Sequence, residues 1–245
     1  MAKRKKNKGG LAAALICLFM AAATLLRGGR IDLPTVSDAL GEVSDAVSDL
    51  SQTPAEPVDG LFEMIALDVG QGDSFLLRTQ EQTVLIDTGE AEYADTVVGA
   101  LKEYGVEQLD LVIATHGDVD HIGGMDNVID AFEIDTFIMA FMPEGFEPTT
   151  KSYLSVLQAL DKNNIAVTEA APGASYPLGD AVVEILGPVR EFEERNNMSV
   201  VCRVSFGNRR FLFMGDAEKE EEASLLETGT DLAADVIKIG HHGSR

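Results

Sequence analysis

Within Thr115-His116-Gly117-Asp118-Val119-Asp120-His121-Ile122-Gly123-Gly124, four side chains can bind a divalent cation: His116, Asp118, Asp120 and His121. Imidazole and carboxylate together suit a borderline-to-hard divalent metal. Four such groups on one turn exceed what one ion takes from a single loop, so two ions are expected. A polar turn whose aspartates cap the next helix would account for one Asp, but not for the whole set. The stretch before it, Leu109 to Ala114, is apolar at five of its six positions and reads as a buried strand. After it, Ile122, Met125, Val128, Ile129 and Phe132 recur at helical spacing. The cluster therefore sits between the C-terminal end of a strand and the start of a helix, where α/β folds build sites. Gly123 and Gly124 allow a tight turn there.

These residues resemble a known signature. His116-x-Asp118-x-Asp120-His121-x-Gly123-Gly124 is similar to the metal-binding motif of the metallo-β-lactamase fold. Asp118 stands where most of that superfamily has a second His, a form that resembles the branch related to the competence protein ComEC (Rec2). Four more segments carry the same likeness in the same order: Leu67-Asp68-Val69-Gly70-Gln71-Gly72-Asp73, Leu85-Ile86-Asp87-Thr88-Gly89, Met214-Gly215-Asp216-Ala217-Glu218 and Gly240-His241-His242-Gly243-Ser244. The likeness covers about residues 61–245.

The resemblance implies an α/β fold, a metallo-β-lactamase-like αβ/βα sandwich. It implies two divalent ions, zinc or manganese. His116, Asp118 and Asp216 would hold one ion; Asp120, His121, Asp216 and His242 would hold the other, with Asp216 bridging. By the family pattern one of the adjacent pair His241 and His242 is a ligand. We assign His242 to the metal, and His241 to the substrate or to proton donation. Asp120 and His241 are the candidate catalytic residues. Asp87 would orient the metal-bearing loop without being a ligand, and Asp73 could orient ligands too. Most of the superfamily supplies a third His near residues 191–199. This chain has none there, and like the ComEC-related branch offers Asn196, Asn197 and Ser199. The two Asn amides are expected to hydrogen-bond a phosphate, a metal-held water or their own loop, with direct metal ligation by Asn196 or Asn197 as the alternative. The reaction implied is hydrolysis of a phosphodiester, with DNA as one substrate. Two alternatives stay open: hydrolysis of another ester or amide, such as a cell-wall phosphocholine ester, and a non-catalytic fragment or binding module.

Regular elements must position these groups. Strands are expected at Leu61–Val69, Ser74–Thr79, Thr83–Ile86, 136–141, Ile165–Glu169, Ala181–Leu186, Val200–Phe206, Arg210–Met214 and Asp235–Gly240, the last ending at the His pair. Helices are expected at Tyr93–Tyr104, Thr149–Asn163 and Ala217–Leu226. Gly105 should close the first. Asp216 could double as N-cap of the last, whose glutamates suit a solvated face. Gly207-Asn208 reads as a hairpin turn. Cys202, flanked by Val201 and Arg203, reads as a small buried hydrophobe. In the family the fold continues past Arg245, so the chain is expected to be truncated at its C-terminal end, with an exposed sheet edge.

Charge divides the chain of 245 residues unevenly. Residues 1–30 hold seven Lys/Arg and no Asp/Glu, leaving 12 basic against 41 acidic residues, a net of −29, in residues 31–245. So acidic a domain disfavours a non-specific grip on nucleic acid. Lys3, Arg4, Lys5, Lys6 and Lys8 precede an uncharged apolar run from Leu11 to Leu26. That is the layout of an export signal peptide or signal anchor over residues 1–30. The domain is therefore expected outside the cytoplasmic membrane, secreted or attached to it by that segment. Residues 31–60, with Thr53-Pro54-Ala55-Glu56-Pro57 near their end, read as a tether. Residues 61–245 form the domain. No protein partner can be read from the sequence.

Overall fold

The computed structural model describes residues 61–244 apart from Phe141 and Glu144; the expected export segment and tether lie outside the described residues. Two sheets carry the fold. The first is six-stranded in simple sequence order, β1 (Glu63–Ala66), β2 (Phe75–Arg78), β3 (Thr83–Ile86), β4 (Gln108–Ala114), β5 (Glu133–Met139) and β6 (Val167–Glu169). Its first three strands are antiparallel, and β3 through β6 run parallel. The crossovers between parallel strands hold α1 (Ala94–Glu103), the short helices α2 (Val119–Ile122) and α3 (Met125–Ala131), and α4 (Lys151–Asn163). The second sheet is five-stranded in the order β11-β10-β9-β8-β7, from β7 (Ser175–Leu178), β8 (Ala181–Gly187), β9 (Val201–Phe206), β10 (Arg209–Phe213) and β11 (Val236–Lys238). Only the β10–β11 pair is parallel, joined through α5 (Lys219–Glu227).

Strand alternation builds the layers. On β4, Val112 and Ala114 join the cluster that α1, α3 and α4 fill with Val97, Leu101, Met125, Val128, Val156 and Leu160. Leu111 and Ile113 face the other way, against Val183, Ile185, Cys202 and Val204 of the second sheet. A third cluster, including Leu186, Leu212, Met214 and Leu225, places α5 outside that second sheet. The order is helices, sheet, sheet, helix, the αβ/βα sandwich.

Local chemistry explains most boundaries. Thr150 caps α4 by accepting the Tyr153 N–H at 3.3 Å. Gly105 follows the end of α1 in the left-handed region, at φ +74°. Phe206 pairs with Arg209 across Gly207-Asn208, as the turn residues require. Cys202 is fully buried, and burial pushes its thiol up to about 12.

Several expectations change. The first strand is paired only over Glu63–Ala66, because the chain bends into the 67–74 loop that approaches the turn after β4. The helical spacing from Ile122 onward is split in two at Gly123-Gly124. β7 is an extra strand masked by Pro177, which a sheet-end strand tolerates. The last strand stops at Lys238, so His241 and His242 do not alternate along it. β11 ends its sheet, and Val236 and Ile237 are exposed. Among the described residues no helix is long and apolar enough to cross a membrane.

Candidate metal centre

The site lies where the parallel strands of both sheets end. β3 delivers Asp87, β4 delivers residues 115–121, β10 delivers Asp216 and β11 leads to His241 and His242. The loop before β2 closes over it: Asp73 N–H donates to the Asp120 carbonyl at 3.2 Å, and Gly89 N–H donates to the Asp73 carbonyl at 2.8 Å. Gly72 is required in that loop, because a Cβ there would collide with the Asp120 carbonyl. Gly215 takes φ +51° between Ser199 and Thr115, which turns the chain so that Asp216 enters the centre. Ser199 Oγ then accepts the Asp216 N–H at 3.0 Å.

Asp87 is the anchor. It is fully buried at φ +56°, accepts the Thr115 N–H at 2.8 Å and the Thr115 hydroxyl at 2.6 Å, and lies 2.8 Å from His121 Nδ1. Its carboxylate fixes the ring so that His121 Nε2 faces the centre. There His121 Nε2 is 3.1 Å from Asp216 Oδ1 and 3.9 Å from Asp120 Oδ2. His242 Nε2 is 3.4 Å from Asp120 Oδ2 and 3.5 Å from Asp216 Oδ1. Asp120, His121, Asp216 and His242 thus bring one ligand atom each within 4.8 Å of one another. His116 Nε2 stands 3.9 Å from both Asp118 Oδ2 and Asp216 Oδ2, on the other side of the Asp216 carboxylate.

The donors fit a metal ion. His116 Nε2 and His242 Nε2 are buried without a hydrogen-bond partner, and His121 Nε2 and Asp216 Oδ1 have only each other, 3.1 Å apart. Buried polar atoms are normally satisfied, and a set of imidazole nitrogens and carboxylate oxygens converging on one space is what zinc or manganese takes. Electrostatics agree. Burial, reinforced by the His121 charge, lowers the His116 imidazole well below the usual histidine range. Burial would lower His121 too, but the Asp87 and Asp216 carboxylates overturn it and raise the imidazole strongly. Burial alone would raise Asp216, and the surrounding imidazoles hold its carboxyl far below the usual range instead.

The remaining predicted residues have different surroundings. Asp118 occupies the N-cap position of α2 but its side chain makes no capping bond, and it is 42% exposed beside His116. Asp216 is not the cap of α5: Glu218 holds that position, and Asn197 Oδ1 accepts the Glu218 N–H at 2.9 Å and the Glu221 N–H at 3.4 Å. Asn197 therefore serves the helix. Asn196 Nδ2 donates to Glu218 Oε1 at 3.0 Å, and Glu218 Oε1 is 2.9 Å from His241 Nδ1. His241 and His242 both sit in the left-handed region, at φ +44° and +51°, in a tight turn. That conformation is costly for a residue with a Cβ, and it turns His242 toward Asp120 while His241 goes to Glu218.

Three participants escaped the sequence reading. Thr115 stands at the edge of the motif with no ligand chemistry of its own, and its two hydrogen bonds to Asp87 give it a role. Glu218 closes one of the motif segments, but its place among the glutamates of α5 suggests only a solvated face, and Glu221 beside it is fully buried with neither carboxylate oxygen paired. Lys238 is mostly buried, with its ammonium 2.7 Å from Asp73 Oδ2. A lone cation inside Val236-Ile237-Lys238-Ile239 was the available signal.

Residues 67–244 match the family model of the metallo-beta-lactamase superfamily. The chain is 31% identical over 202 residues to ComE operon protein 3 of Bacillus subtilis (strain 168), covering 75% of this chain and 26% of that protein. It is 31% identical over 179 residues to Competence protein ComA of Neisseria gonorrhoeae, covering 72% and 23%. The chain thus spans about a quarter of the length of these curated relatives. MEM-A1, a subclass B3 metallo-β-lactamase isolated from a soil metagenome library, superposes with a TM-score of 0.54 at 16% identity, covering 78% of this chain and 81% of that one. At that identity the likeness is one of fold.

Proposed function

The chain belongs to the metallo-β-lactamase superfamily, in the branch related to the ComEC/Rec2 competence proteins, and on that footing we propose that it is an exported, metal-dependent hydrolase of phosphodiesters. Members of the superfamily are generally metal-dependent hydrolases. The observation that carries the reading is the convergence of Asp120, His121, Asp216 and His242, whose inward atoms include buried donors without partners. The pair His116 and Asp118 across Asp216 supports a second ion.

Two divalent ions, held by His116, Asp118, Asp120, His121, Asp216 and His242, would supply Lewis acidity and acidify the attacking water. The protein supplies the rest. Asp216 turns Oδ1 toward His121 and Oδ2 toward His116, so its carboxylate would offset positive charge on both sides of the centre. Asp87 keeps the His121 ring in one orientation through every turnover. Asp120 lies at the open edge of the centre and takes the proton of the attacking water. His241, held by Glu218, stands on the exposed rim, where it contacts the leaving oxygen of the substrate.

The phosphodiester assignment is favoured by the kinship with competence proteins and by a donor set rich in carboxylate, which suits manganese as well as zinc. The net of −29 over residues 31–245 favours short or soluble diesters over a long duplex, whose phosphates it repels. The basic-then-apolar layout of residues 1–30 supports export or membrane attachment.

The test is turnover by the purified chain, stripped of metal and reloaded with manganese or with zinc, on bis(p-nitrophenyl) phosphate, single-stranded DNA and a phosphocholine ester. Metal-dependent cleavage of a diester, abolished in Asp120→Ala, is the expected result. Cleavage of the phosphocholine ester alone would reassign the substrate. Two bound ions with no turnover on any of the three would make the domain a binding module.

A further inference from the structure

Lys238 sits in β11 between Ile237 and Ile239, 14% exposed at its side chain. Its ammonium lies 2.7 Å from Asp73 Oδ2, donates to the Ile239 carbonyl at 2.9 Å and approaches the Gly215 carbonyl at 3.3 Å. An ammonium has three protons to donate, so these contacts use all of them. Each partner belongs to a different segment of the metal centre. Gly215 immediately precedes Asp216. Ile239 opens the turn that aims His242. Asp73 stands behind the rings, its Oδ1 3.9 Å from His242 Nδ1 and its Oδ2 3.9 Å from His121 Nδ1.

We propose that Lys238 is the positioning residue of the ion held by Asp120, His121, Asp216 and His242: it pins Asp73 behind His242, so that this carboxylate orients the imidazole and does not enter the coordination shell. The inference rests on the metal reading above. It has a parallel in the same site, since Thr115 pins Asp87 behind His121 through two hydrogen bonds. Ligating imidazoles are characteristically oriented from their second nitrogen by a carboxylate. The arrangement also explains a second convergence of possible ligands, Asp73, Asp87 and His121, all buried. The Lys238 ammonium closes its Asp73 end, so the protein's own cation takes the place of an additional ion.

The full chain, stripped of metal, is titrated calorimetrically with zinc and, separately, with cobalt, whose d–d absorption reports ligand geometry. Wild type is expected to bind two ions. Lys238→Met is expected to keep the ion of His116 and Asp118 and to bind the other about 10–100-fold more weakly, with an altered cobalt spectrum. Lys238→Arg, which keeps the charge, is expected to restore part of the affinity. A purely structural role would lower the melting temperature and leave the cobalt spectrum as it was. Should the freed Asp73 charge prevent Lys238→Met from folding, the double variant Asp73→Asn/Lys238→Met removes both charges and is expected to show the same loss. Unchanged affinity and spectrum in either folded variant, with two ions still bound by wild type, would overturn this inference alone. A wild type that binds no ion would overturn the metal reading and this inference with it.

Discussion

Asp87 Oδ2 lies 2.8 Å from His121 Nδ1, and the same carboxylate takes both the N–H and the hydroxyl of Thr115. One buried side chain thus joins the end of β3 to the residues on both sides of the metal turn. It decides which imidazole nitrogen faces the centre. It does so from φ +56°, a conformation that only its hydrogen bonds make worth holding.

Asp87→Ala removes that orientation without touching a ligand. Zinc affinity is expected to fall about 10–100-fold, read by calorimetry on folded protein. Native affinity in this variant would mean that the ring is held by packing alone.

His241 and His242 are adjacent but turn to different partners, Glu218 and Asp120. His242→Ala is expected to bind one ion fewer by metal analysis. His241→Ala is expected to retain both ions and lose turnover by about 10²-fold or more. If His241→Ala loses the ion and His242→Ala keeps it, the two roles are exchanged.

Glu221 is the one buried carboxyl among the described residues with neither oxygen paired, and burial pushes it up to about 9 from an ordinary 4.5. The folded chain keeps this proton while the unfolded chain releases it. The stability that Glu221 allows is therefore fully present below pH 4.5 and is lost as pH rises toward about 9. Glu221→Met, of similar shape and without charge, should gain on wild type across that window by at most about 1.4 kcal/mol per pH unit. Melting temperatures at pH 5, 7 and 8.5 are the check. A constant difference between the two proteins would show that Glu221 is not the titrating group.

Asn197 Oδ1 accepts two N–H groups at the start of α5 and is 1% exposed. Asn197→Ala should cost about 1 kcal/mol of stability, as loss of a helix cap does, measured by urea unfolding. Metal stoichiometry should stay as in wild type; a lost ion would give Asn197 a place in the centre.

Local spacing was enough to put His116, Asp118, Asp120 and His121 on one turn, because a strand pattern runs into a helix pattern with four ligand side chains within six positions between them. The alternation on β4 and the caps at Thr150 and Gly105 were legible for the same reason: each depends on neighbours a few positions away. The fold followed from the motifs by resemblance, in their order along the chain. Where local rules compete, the reading shifted. The glutamates of α5 looked uniformly solvated, yet Glu221 is buried because α5 packs that face on the second sheet. The apolar stretch around Lys238 looked like a plain strand, and its continuation through His241 and His242 is a left-handed turn.

By itself the sequence determined which residues carry metal-binding chemistry and most of the strands and helices that hold them, though not β7 or the turn after Lys238, since residue type and period act over short distances. Only the tertiary structure decided how those groups meet. Asp216 and His242 reach the turn of His116 and His121 because β10 and β11 end beside β3 and β4. The pairings that orient them, Asp87 with Thr115 and His121, Asp73 with Lys238, Asn197 with the start of α5, join residues between 21 and 165 positions apart. No periodicity encodes such distances; burial and hydrogen-bond satisfaction in the packed core select them.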